Sequence, residues 1–235
     1  MSLTIVVTGA SRGLGLEFVK QLSAKGHVVI ASARSPEKSD QLQELAKSKN
    51  VHTVTLDVVQ EESVKAAADQ ISRIAPNGID ILINNSGIAS SLTHNPETTS
   101  AEEYVRVFET NVAGTARVTV PFLELLRKRN TRKIINISSV MGSIAFDRGT
   151  GSLAPAYCVS KTAENMLSKM FAIHLEKEKF TVVALHPGWV QTDMGGQGAD
   201  ITPQQSISGM VNVIDKLTPK DNGAFFDYEG KVVPW

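Results

Sequence analysis

Tyr157 and Lys161 are the residues whose types and spacing point most directly to chemistry. Four positions apart in a segment of helical pattern, their side chains share one face. Of the three tyrosines only Tyr157 has a lysine at this offset; Tyr104 has Phe108 there and Tyr228 has Val232. A phenol with a pKa of about 10 gives up its proton poorly at neutral pH, and a nearby ammonium lowers that pKa. The pair therefore reads as a general acid with its tuning cation, although alone it is also an ordinary surface contact. Two further clusters accompany it: Ser138-Ser139 ends the apolar run Lys133 to Ile137, and Asn84-Asn85-Ser86-Gly87 closes the run Ile79 to Ile83. Each alone is a polar turn, but open α/β sheets place ligands beyond the carboxyl ends of their strands, where all of these residues would meet.

A third cluster, Thr8-Gly9-Ala10-Ser11-Arg12-Gly13-Leu14-Gly15, follows the first apolar run and opens a helical pattern. Glycines let the backbone approach a pyrophosphate, and the N–H groups and dipole of a helix start attract its charge. Gly9 to Gly13 also fits the G-x-S-x-G nucleophile elbow of hydrolases, with Ser11 as nucleophile. That reading fails because the elbow draws an oxyanion-hole donor from an earlier strand-helix loop, and Ser11 follows the first strand. NAD sites place an acid about 20 residues beyond the glycines to hold the ribose 2′-OH. The corresponding window, Ala31-Ser32-Ala33-Arg34-Ser35, has no acid before Glu37. Arg34, with Arg12 as a second cation, suits the 2′-phosphate of NADPH.

These groups need a scaffold, and the chain supplies one. Short β-branched runs at Leu3 to Thr8, Val28 to Ala33, Val51 to Leu56, Ile79 to Ile83, Lys133 to Ile137 and Thr181 to His186 alternate with helix-period segments. The latter are Leu14 to Lys25, Glu37 to Lys47, Glu61 to Ile74, Ala101 to Arg129 and Ala156 to Lys179. That alternation predicts an α/β fold with a parallel sheet covered on both faces. Ser100 with Glu103 reads as a capping box before the fourth helix, and Thr202, Pro203 and Gln205 mark a late helix to about Leu217.

With 24 basic and 24 acidic residues in 235, the formal net charge is zero. Nucleic acid and anionic membrane are therefore not expected partners, since both are bound mainly through clustered Lys and Arg. The single cysteine, Cys158, reads as a packing residue, and no apolar run approaches the roughly 18 residues of a membrane span. A cytoplasmic protein is expected. The five histidines, at 27, 52, 94, 174 and 186, show no metal-ligand spacing, so no metal is expected.

Taken together, Thr8-Gly-x-x-x-Gly-x-Gly15, Asn84-Asn-Ser-Gly87, Asn111, Ser139, Tyr157-x-x-x-Lys161 and Pro187-Gly188 resemble the short-chain dehydrogenase/reductase superfamily over nearly the whole chain. The resemblance implies a single domain over 1–235 built on a Rossmann-type, doubly wound, seven-stranded parallel sheet. It implies Tyr157 as proton donor, Ser139 polarising a carbonyl, and Lys161 tuning the phenol and holding the nicotinamide ribose. Asn111 would hold a water that relays protons to Lys161. The cofactor NADPH would be held by Gly9, Ser11, Arg12, Gly13, Leu14, Gly15, Arg34, Asp57, Val58, Asn84, Ser86, Gly87, Tyr157, Lys161, Pro187, Gly188, Val190 and Thr192. Ser86 replaces the family's alanine, and the Ser139 to Tyr157 spacing exceeds the usual one, so a longer loop, with Phe146, Asp147, Arg148, Gly149 and Gly151, is expected as a lip to the pocket. This loop, Thr192-Asp-Met-Gly-Gly196 and the tail Asp227 to Trp235 most resemble the C-factor and Sniffer-like carbonyl reductase branch.

The expected activity is NADPH-dependent reduction of an aldehyde, ketone or quinone. Val140, Met141, Phe146 and Trp189 are expected as apolar pocket walls, with a small lid after Thr192. The alternative is a non-catalytic dinucleotide-binding signalling or sensor protein, against which intact Ser139, Tyr157 and Lys161 count. An epimerase or dehydratase would carry G-x-x-G-x-x-G and a larger substrate domain. By resemblance the long fourth and fifth helices form a dimer surface, consistent with a homodimer or homotetramer.

Overall fold

The computed structural model describes residues 2–91, 93–146 and 154–235. In chain order the elements are β1 (Thr4–Thr8), α1 (Gly13–Ala24), β2 (Val28–Ala33), α2 (Asp40–Leu45), β3 (Val51–Thr55), α3 (Glu61–Ile74) and β4 (Ile81–Asn84). They continue with α4 (Ala101–Phe108), α5 (Gly114–Arg127), β5 (Lys133–Ile137), α6 (Pro155–Leu175), β6 (Thr181–His186), α7 (Pro203–Lys216) and β7 (Phe225–Asp227). The strands form one seven-stranded sheet in the order β3-β2-β1-β4-β5-β6-β7, with every pair parallel. This is the Rossmann-type single-domain architecture.

Both faces of the sheet are covered, so its strands are apolar at successive positions. In β1, Ile5 and Val7 face a core layer with Phe18 and Leu22 of α1 and Met210 and Ile214 of α7. Val6 points the other way, into a layer with Ile71 of α3, Phe122 and Leu126 of α5, and Leu175 of α6. β1 lies between β2 and β4, so the winding reverses there. Such a switch point leaves a crevice beyond the carboxyl ends of the strands.

Several boundaries differ from the sequence reading. The expected single helix Ala101 to Arg129 is α4 and α5 joined by a π-helical turn, Glu109–Ala113. Glu37 to Lys47 is a short 3-10 turn, Pro36–Lys38, followed by α2, whose start is capped by Ser39. α6 stops at Leu175 and passes into a 3-10 turn that ends at Lys179 in the left-handed region. Ser100 caps α4 by accepting from the Glu103 amide, but the Glu103 carboxylate is held by Arg106 instead of closing a box. At Thr202 both halves of the capping box form. β7 has three residues, too short for a periodic signal.

Candidate active site

A cleft of about 450 Å³ lies beyond the carboxyl ends of β1, β4 and β5, lined by Gly9, Ser11, Arg12, Gly13, Leu14, Gly15, Arg34, Asp57, Val58, Ser86, Gly87, Tyr157, Lys161, Pro187 and Thr192. The glycine turn is shaped by two requirements. Gly9 has φ +65, a region that side chains disfavour, and it packs on Ser86. A Cβ at Gly15 would sit 2.2 Å from the Gly9 carbonyl, so only glycine lets α1 begin this close to the turn. No side chain caps α1, which leaves its first amides for a ligand.

Cations stand at the adenine end expected for β2. Arg34 is exposed, and among the described residues no carboxylate pairs with it. Arg12 pairs with Asp193 at 3.2 Å, with both side chains exposed. Such a pair is worth little in water and opens readily for a phosphate. A 2′-phosphate therefore fits this end, and a cradle without side chains fits a pyrophosphate.

At the other end Tyr157 enters the cleft from the first turn of α6, where its amide donates to Ser90 Oγ at 3.2 Å. Ser139 does not itself line the cleft, but its hydroxyl acts on the phenol and favours a lower pKa. Ser139 Oγ also accepts from the Met141 amide at 3.1 Å. Ser138, its neighbour, borders the cleft but donates its hydroxyl to Asn165 Oδ1 at 2.6 Å. Lys161 is buried, with Nζ donating to the Ile137 carbonyl at 2.8 Å and lying 5.7 Å from the centre of the Tyr157 ring. Lys161 pulls the phenol pKa down, as expected, but burial pushes it up more strongly and Glu164 adds to the rise. The net direction is upward, so the pull of Lys161 on the phenol is present but opposed by burial and by Glu164.

Asn111 is fully buried in the π turn. Its Oδ1 accepts from the Ile88 amide at 2.8 Å, and its Nδ2 donates to the Ile88 carbonyl at 2.9 Å and Ser160 Oγ at 3.0 Å. The side chain thus ties the β4 loop to α6. A water relay from Asn111 would fall to its main-chain carbonyl, which already accepts from Thr115 Oγ1 at 2.9 Å.

Three expected cofactor residues do not line the cleft. Asn84 is buried behind it, donating to Asn136 Oδ1 at 2.8 Å and Thr119 Oγ1 at 3.0 Å. Asn85 borders the cleft in its place and donates to the Thr8 carbonyl at 2.8 Å. Gly188 packs against Ile201 and Tyr228 with φ +84. Val190 is buried and bridges Ile201. The expected pocket walls are also displaced: Val140 packs against the Ala184, Phe225 and Val233 cluster, and Trp189 is exposed with its indole N–H donated to the Gly195 carbonyl. Met141 and Phe146 do not line this cleft, where Ile88 and Met194 supply apolar surface. Asp147, Arg148, Gly149 and Gly151 lie outside the described residues. Glu164 was not legible as a site residue, since an acid three positions after a lysine on a helix reads as a surface pair; here it is buried against Lys161 at 2.6 Å.

The parallel, doubly wound sheet with a cleft at its switch point defines a Rossmann-type oxidoreductase scaffold. The chain belongs to the short chain dehydrogenase family, whose pattern matches residues 3–202. It is similar to an NADPH-bound carbonyl reductase from chicken fatty liver, 37% identical with a TM-score of 0.91 over 100% of this chain and 99% of that one. It is also similar to the carbonyl reductase Sniffer of D. melanogaster, 31% identical with a TM-score of 0.94 over 100% of both chains. C-signal of Myxococcus xanthus is 40% identical over 70% of this chain and 97% of its own. These likenesses place the chain in the Sniffer-like branch of the family. Among the described residues no helix is long and apolar enough to cross a membrane, and no three His, Cys, Asp or Glu side chains are grouped to hold a metal.

Proposed function

We propose that this protein is an NADPH-dependent carbonyl reductase acting on aldehydes, ketones or quinones in the cytoplasm. The observation that carries the reading is that Tyr157 and the Lys161 ammonium, 5.7 Å from its ring, line the same cleft as the glycine turn and Arg34. NADPH, when bound, supplies the hydride. The glycine turn and the start of α1 would hold its pyrophosphate, Arg34 and Arg12 its 2′-phosphate, and Lys161 its nicotinamide ribose. Ser139 orients the substrate carbonyl, and Tyr157 gives its proton to the oxygen as negative charge develops there. A kinetic screen of NADPH oxidation against the three carbonyl classes tests the reading; no turnover with any of them overturns it. The signalling alternative draws on the likeness to C-signal, and it would leave any biological effect intact in a Tyr157 variant that still binds cofactor.

Replacing Arg34 by Asp turns a charge-assisted contact into a repulsion. Arg34→Asp should weaken NADPH binding by about tenfold to a hundredfold while leaving NADH within a few-fold, as read by fluorescence titration. A wild type that prefers NADH would overturn the assignment.

Val105 and Phe108 on α4, Val120 on α5, and Met166, Met170 and Ile173 on α6 are exposed apolar side chains. A second copy of the chain would cover them. Sedimentation should show a homodimer that Met170→Glu dissociates; a wild-type monomer at micromolar concentration counts against this surface.

A further inference from the structure

Lys161 and Glu164 form an ion pair inside the protein, with side chains 5% and 1% exposed and Nζ 2.6 Å from Oε2. The pair is separated from the cleft floor by little: Lys161 itself lines the cleft and Tyr157 lies one turn earlier on the same helix. The Thr115 hydroxyl of α5 also acts on the carboxylate, favouring its charged form. That hydroxyl donates to the Asn111 carbonyl at 2.9 Å. Glu164 is thus built into the hydrogen-bonded layer beneath the site, and nothing in the reductase reading uses it.

We propose that Glu164 is a positioning residue for reduction: its buried carboxylate anchors Lys161 and keeps it an ammonium beside Tyr157. The reason is electrostatic. A lysine taken out of water without a counterion loses its proton, and buried lysines are known to fall by several pH units. A neutral Lys161 would neither attract the charge that develops on Tyr157 nor hold a fixed orientation. On Lys161 burial pulls the pKa down, but the attraction of Glu164, aided by Tyr157, outweighs it and the direction is upward. Burial in turn pushes Glu164 up against the pull of Lys161 and Thr115, as expected for a pair that shares one dry site. Among the described residues, the titratable groups acting here are Tyr157, Lys161 and Glu164 of α6, with Cys158 acting on Tyr157. Thr115 of α5, Asn111 of the π turn and Ser139 after β5 are neutral. An ammonium carries three donors; Ile137 and Glu164 take two, so one would remain for the ribose of a bound cofactor.

Removing the carboxylate charge makes the first proton leave the Tyr157 and Lys161 pair more easily, whichever of the two gives it up. The importance of this for catalysis rests on the reductase reading, but its test does not. The side-chain ammonium of Lys161 is followed by heteronuclear NMR in isotope-labelled protein without cofactor, assigned by its loss in Lys161→Met. In wild type Lys161 should stay charged to the ordinary lysine value of about 10.4 or beyond. In Glu164→Gln, which keeps the shape and an acceptor for Nζ, its midpoint should fall by more than about one unit; Glu164→Asp, which keeps the charge, should recover most of that loss. The alkaline limb of the reduction rate should move down with the same order among the variants. An unchanged Lys161 midpoint in Glu164→Gln overturns the proposal, as does an equal fall in Glu164→Asp. If Glu164→Gln does not fold, the wild-type titration decides, because a lysine already neutral below about pH 9 would show that no counterion holds its proton. A protein that reduces no carbonyl but shows these midpoints loses the reductase reading and keeps the Glu164 assignment; active protein with unmoved midpoints gives the reverse.

Discussion

Tyr157→Phe is expected to bind NADPH with nearly wild-type affinity and to lose at least about a hundredfold in turnover. The ring is retained, so packing in the first turn of α6 survives, and only the hydroxyl is removed. The phenol proton is needed when negative charge develops on the substrate oxygen, not when cofactor binds, so the loss should fall on kcat far more than on KM or on the NADPH dissociation constant. Because burial and Glu164 hold the phenol pKa above its ordinary value of 10.0, wild-type reduction should not lose its proton donor anywhere in the neutral range. Unchanged turnover in Tyr157→Phe would remove this residue from its role.

Ser139→Ala should reduce turnover by about 10² to 10³, the usual cost of losing a preorganised donor to a developing oxyanion. Ser138→Ala should cost much less in turnover. The two serines are adjacent at a strand end, so their side chains point to opposite sides. Ser139 acts on the Tyr157 phenol, whereas Ser138 is bonded to Asn165 and serves to fix α6 against β5. Ser138→Ala should accordingly appear in thermal unfolding more than in kcat. A greater loss of turnover in Ser138→Ala, measured at saturating NADPH, would show the assignment to be reversed.

The longer spacing between Ser139 and Tyr157 left open in the sequence whether the serine and tyrosine still meet. What holds the end of β5 to α6 is the Asn136 to Ser168 and Ser138 to Asn165 hydrogen bonds, which do not depend on the length of the segment between Ser139 and Tyr157. Local spacing does not report such distant supports.

What the sequence determined by itself is what local rules govern. The alternation of short β-branched runs with helical segments is set by burial on two faces, and it specified the parallel sheet and six of its strands. The glycine turn, Arg34 in place of an acid, and Tyr157 with Lys161 were legible because each depends on residue type at a fixed short offset. Tertiary structure alone decided what depends on which groups are buried together. Asn84 and Asn85 are indistinguishable in the chain, but the pleat turns one into the sheet interior and leaves the other at the cleft. β7 is three residues long and exists because β6 offers it an edge to pair with. Above all, the pull of Lys161 on the Tyr157 proton was legible in the sequence, but the groups that oppose it were not. Desolvation and the buried carboxylate of Glu164 act through space and through a low dielectric that only the packed fold creates, and together they outweigh the lysine.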